Sequence, residues 1–115
     1  MIYLVEIKVE ARKDIINAAA WYRARQEGFD NIFLSAVEAT IYRILANPHA
    51  GTNFYKTFGE TNIKKFPYVI VYEIFSDSIA IYEVFHTSQN PKRKLKDWNN
   101  GEKSYSGDFA FFLWF

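Results

Sequence analysis

The sequence predicts an α+β domain in which an antiparallel helix hairpin packs on a mostly antiparallel sheet of four to five strands, in the order β-α-α-β-β-β. Three observations predict it. Apolar residues recur at every second position as far as Val9, at every third or fourth from Glu10 to Pro48, and then at every second position again. The two helical stretches are separated by only four residues around Gly28, which forces the chain to reverse. Finally, YVIVYEIF (Tyr68 to Phe75) and SIAIYEVF (Ser78 to Phe85) are separated only by Ser76 and Asp77, and their β-branched and aromatic content reads as a central hairpin. One strand, two helices, then a run of strands places the helices together on one sheet face.

The elements follow in order. From Ile2 to Val9, Tyr3, Val5, Ile7 and Val9 share one face and Leu4, Glu6 and Lys8 the other, a strand with one buried side. Over Glu10 to Gln26, Ile15, Ala19 and Tyr22 form a helical stripe flanked by Ile16, Ala20 and Trp21, and Gly28 closes it. Asp30 is the expected cap of a second helix with the stripe Phe33, Val37, Ile41, Ile44 and Leu45, ending at Asn47 and Pro48. After NPHAG a meander is expected: a strand over Thr52 to Phe58, a turn at Gly59 and Glu60, and a strand over Thr61 to Phe66 stopped by Pro67.

Composition narrows the class. The 115 residues suffice for one domain, and a 50% hydrophobic, 19% aromatic chain has the apolar surface to fold without metal or disulfide. There is no cysteine, so neither a disulfide scaffold nor a thiolate zinc site is expected. Glutamate interrupts the apolar start, which therefore does not read as a signal peptide, and no apolar run approaches the length of a membrane span. A cytoplasmic protein without cofactor or metal is expected. With 14 basic and 13 acidic residues, nucleic-acid binding would have to rest on local charge clusters.

In this order the residues resemble the RelE/ParE superfamily of type II toxin-antitoxin toxins over about residues 2 to 98. The resemblance rests on Ala11 and Asp14 opening the first helix, Trp21 and Tyr22 near its end, and Gly28 at the break. Phe33, Val37, Ile41, Ile44 and Pro48 follow, then Phe66-Pro67-Tyr68 with Tyr72, and His86 ending the last strand with Pro91 beyond. It implies a toxin neutralised by a cognate antitoxin, with two known activities in the superfamily: RelE-like cleavage of mRNA on the ribosome and ParE-like poisoning of DNA gyrase. The WY and FPY patterns look closer to the ParE and plasmid-stabilisation branch. Many relatives carry arginines between the histidine and the proline, where this chain has Ser88 and Gln89, and others before FPY, where it has Glu60, Thr61 and Asn62.

Those departures bear on chemistry. Cutting RNA through its 2′-hydroxyl needs a base, an acid and a cation for the phosphate. His86 could be acid or base, Lys65 or Lys64 could hold the phosphate, and Tyr72, Tyr82 or Glu83 could assist. Lysine, however, does not reproduce the two-pronged grip of arginine on phosphate. The leading expectation is therefore a ParE-like toxin that binds its target, with a RelE-like mRNA interferase as the alternative and an inert binding scaffold as a third class. Lys64 and Lys65 are expected on opposite faces of a strand, Trp21 and Tyr22 in the core, Asp14 and Glu38 on solvated helix faces, and His49 in a loop.

Past Pro91, Lys92, Arg93, Lys94 and Lys96 form a basic strip suited to nucleic acid or an acidic partner segment. The domain is expected to end near residue 98. NNGEKSYSGD then reads as a linker to FAFFLWF, residues 109 to 115. Burying one such aromatic contributes roughly 1.5–3 kcal/mol, so Phe109, Phe111, Phe112, Leu113, Trp114 and Phe115 are expected to meet a groove or sheet edge of their own domain, a second copy in a homodimer, or the antitoxin.

Overall fold

The structure, a computed structural model, describes residues 4–88, with the backbone alone over 52–55. The basic strip Lys92, Arg93, Lys94 and Lys96, the boundary near residue 98 and the apolar run 109–115 lie outside the described residues.

The elements are β1 (Leu4–Ile7), α1 (Val9–Arg25), α2 (Phe29–Ala46), a single 3-10 turn (Pro48–Ala50), β2 (Thr52–Tyr55), β3 (Phe58–Asn62), β4 (Tyr68–Ile74) and β5 (Ser78–His86). They form the expected α+β fold, with one sheet in the order β1-β5-β4-β3-β2. β1 runs parallel to β5, and every other pairing is antiparallel. The helix hairpin carries the chain from β1 to β2 at the opposite edge, and the meander β2 to β5 returns across the sheet to set β5 parallel beside β1.

Several local expectations are corrected. The alternation at the start runs to Val9, yet Val9 opens α1: Lys8 N–H still bonds to the Ile81 carbonyl as a last rung, and the Lys8 carbonyl already accepts from Arg12. Gly28, left-handed at φ 90°, rather than Asp30, is the N-cap of α2, and Asp30 sits in its first turn, where a negative charge favours the helix dipole. The β2–β3 turn lies at Lys56 and Thr57, with Lys56 at φ 57°, so Gly59 and Glu60 belong to β3. β3 stops at Asn62. Ile63 N–H bonds to the Tyr68 carbonyl and Phe66 N–H to the Ile63 carbonyl, which ties residues 63–68 into a turn rather than a strand.

The helices cover one sheet face only. Val5, Ile7, Ile70, Tyr72, Ile74, Ile79, Ile81 and Val84 point to that inner face and pack with Ala11, Ala18, Tyr22, Phe33, Val37, Ile41 and Ile44. Tyr22 stacks on Phe33 at 5.2 Å between centroids and meets Phe66 edge-on at 5.1 Å, the offset and T-shaped geometries that ring quadrupoles favour. On the outer face Val69, Val71 and Phe85 form a separate cluster with Phe58 and Tyr82.

Candidate functional site

α1 and the ends of β4 and β5 enclose an open groove of about 690 Å³, lined by Asp14, Asn17, Ala18, Trp21, Tyr22, Pro67, Tyr68, Val84, Phe85, His86 and Ser88. α1 contributes at helical spacing: 14, 17, 18 and 21 fall on one side, so one helix face forms a whole wall. The antiparallel register Tyr68↔His86 builds the floor.

His86 sits exposed at the end of β5, its ring edge-on to Tyr68 at 5.2 Å. Its Nδ1 accepts the backbone N–H of Ser88 at 3.1 Å and lies 3.0 Å from Ser88 Oγ. A ring nitrogen that accepts from a backbone donor uses its lone pair, so the proton of the neutral imidazole is on Nε2. Ser88 thereby holds the ring in one tautomer and orientation.

Asp14 corrects the sequence reading. It does not stand on a solvated face: its Oδ2 accepts the backbone N–H of Val84 at 3.0 Å and joins α1 to β5. Its charge also reaches Tyr68, whose phenol is held above the usual tyrosine range by burial first and by Asp14 second. Burial likewise raises the Tyr22 phenol, with Tyr68 adding to it. Both phenols therefore remain neutral hydrogen-bond groups. Trp21, expected in the core, is 49% exposed at the rim, with the Arg25 guanidinium 3.7 Å from its ring centroid. Tyr22 alone of that pair is core.

The other sequence candidates are not gathered here. Lys64 and Lys65 are exposed in the turn before Pro67, and Lys65 is left-handed at φ 70°, so the strand argument that put them on opposite faces does not apply. Neither lines the groove. Tyr72 is buried on the inner face, donates to the Pro48 carbonyl at 2.6 Å, and has its phenol pushed up to about 12 by burial. It anchors the turn after α2, away from His86. Tyr82 donates to Glu73 Oε1 at 2.6 Å on the outer face, and Glu83 pairs with Val71 there. His49 lies in the 3-10 turn, as expected of a loop residue. The groove offers one carboxylate, two neutral phenols, an indole and one imidazole, and no lysine or arginine among its described lining residues.

A second groove of about 490 Å³ opens between the helices beside β1, lined by Ile7, Ile15, Asn31, Leu34, Ser35, Val37, Glu38 and Ile41. Leu34 and its neighbours Ile16 and Ile32 are exposed large apolar side chains. Among the described residues no group of three His, Asp or Glu side chains could hold a metal, and no helix is long and apolar enough to cross a membrane.

The sequence profile described as the ParE toxin of type II toxin-antitoxin system, parDE, matches residues 5–91. Among solved structures, the chain is similar to one titled as a chromosomal ParDE toxin-antitoxin system from P. aeruginosa, with TM-score 0.56 and 14% identity, covering 75% of this chain and 96% of that one. At that identity the likeness speaks for the fold. No curated protein sequence matches.

Proposed function

Because the chain belongs to the family of ParE toxins of type II toxin-antitoxin systems, we propose that it arrests growth by binding a cellular target such as DNA gyrase and is neutralised by a cognate antitoxin. The observation that carries the binding reading is the groove beside His86. RNA cleavage asks for a fixed cation on the phosphate, and the described residues of the groove wall supply Asp14, Tyr22, Tyr68 and Trp21 instead.

The antitoxin reading is supported by the solved toxin-antitoxin relative and by the second groove. A partner helix presenting apolar residues at i, i+3, i+4 and i+7 would fit the channel of Ile15, Leu34, Val37 and Ile41, with the edge strand β1 beside it.

The test is expression from a tight promoter, with growth, gyrase supercoiling and ribosomal mRNA integrity followed together. The expected outcome is arrest with supercoiling impaired and transcripts intact. Ribosomal mRNA cuts abolished by His86→Ala would overturn the binding reading in favour of an interferase, and undisturbed growth would defeat both.

A further inference from the structure

The second groove has an apolar floor and one polar wall. Ile7, Val37 and Ile41 at its base are 3%, 5% and 2% exposed, whereas Leu34 at its mouth is 39% exposed. α1 contributes Ile15 to one side, and α2 contributes Asn31, Leu34, Ser35 and Glu38 to the other. Those four are spaced i, i+3, i+4 and i+7, so they form a single ridge of α2, about 10 Å long at a rise of about 1.5 Å per residue.

Glu38 gives that ridge its electrostatic character. The sequence suggests a solvated helix face for it, but the side chain is half-buried beside the apolar channel. It carries the one charge among the described lining residues, and among the described residues it enters no ion pair. A wholly apolar cover would strip water from that carboxylate and return nothing. A cover that fits must bring a cation.

Resting on the assignment of this groove to the antitoxin, we infer that Glu38 sets its specificity: the occupant is an amphipathic helix whose apolar stripe lies on Ile7, Leu34, Val37 and Ile41 and whose flank toward α2 carries a lysine or arginine that pairs with Glu38. The unequal walls decide the side. Ile15 on α1 has no polar side-chain atom to offer, so the cation stands next to α2. A second copy of the chain meets the opposite condition. In a two-fold interface centred on the groove the same patch faces itself, so Glu38 would lie against Glu38, and like charges in a partly buried place repel. The same repulsion rejects a helix with a matching apolar stripe but an acidic flank, which is how charge selects among partners of similar shape.

The test uses the full-length protein and labelled amphipathic helical peptides that share leucines at i, i+3, i+4 and i+7 and differ only in the residues flanking that stripe, which are lysine, glutamine or glutamate. In fluorescence anisotropy at low ionic strength the lysine peptide is expected to bind about tenfold tighter than the glutamate peptide, with glutamine between. Glu38→Lys should invert that order and Glu38→Gln should flatten it. Both introduced residues are good helix formers, so the fold is kept. Equal affinities, or an order that neither substitution moves, overturn the inference while the groove itself still binds. Binding by no peptide, binding that Leu34→Asp leaves untouched, or a dimer of the free protein that Leu34→Asp dissolves takes the groove from the antitoxin, and the inference falls with it.

Discussion

The two faces of the sheet bury side chains by different means. The inner face is an aromatic and aliphatic core closed by two helices, in which Phe33, Ile70 and Tyr72 are fully buried. The outer face mixes the apolar cluster of Val69, Val71 and Phe85 with buried Glu60 and Glu83. The outer face places carboxylates next to valine, whereas the inner one is apolar and aromatic almost throughout. The inner face makes the fold, because the helix residues of the core pack on it alone.

Substitutions can sharpen that contrast. The largest effect is expected for Phe33→Ala, which removes a ring stacked on Tyr22 and packed against Phe66 and Tyr68; a loss of about 3–5 kcal/mol in denaturant unfolding is expected, equal in the full chain and the chain lacking 109–115.

Tyr72 comes next. Its folded-state phenol, at about 12, lies above the ordinary value of 10.0. The protonated form is therefore preferred in the fold, and the stability it contributes is complete below pH 10 and lost as pH rises toward 12. Roughly 2–3 kcal/mol should disappear over that window. Tyr72→Phe should flatten the window; a drop that persists unchanged in this variant would assign it elsewhere.

Val71→Ala should cost about 2 kcal/mol in denaturant unfolding, because a fully buried valine on the outer face loses its packing. Asp14→Ala should cost about 1.5 kcal/mol, since a charged acceptor is taken from the Val84 N–H. The smallest effect on stability, under about 0.5 kcal/mol, is expected for Trp21→Ala at the exposed rim; its consequence should appear instead as relief of growth arrest, measured by colony formation on induction.

Much of the fold was legible. The hairpin YVIVYEIF and SIAIYEVF was found within a residue at either end, and the helix hairpin broke at Gly28. Gly59 misled because glycine suggests a turn, while the actual turn uses Lys56 in the left-handed region, a conformation that a lysine does not advertise. Close approach had a subtler signal in Gly51: its φ of −65° is ordinary, yet a Cβ there would collide with the Tyr72 hydroxyl and lie 2.6 Å from the Glu60 carbonyl. The groove was half legible. His86 was found from its place at a strand end, but Asp14 was misassigned because its partner, Val84, is 70 residues away.

The sequence by itself determined the kind and order of the elements, because the spacing of apolar residues, two in a strand and 3.6 in a helix, is set by local backbone geometry. Only the tertiary structure decided that β1 lies parallel beside β5, that Asp14 reaches Val84 to make a groove wall, and that the outer face buries Glu60 and Glu83. Those depend on strand order and register, which are fixed by contacts between residues far apart in the chain and leave no periodic mark within any one segment.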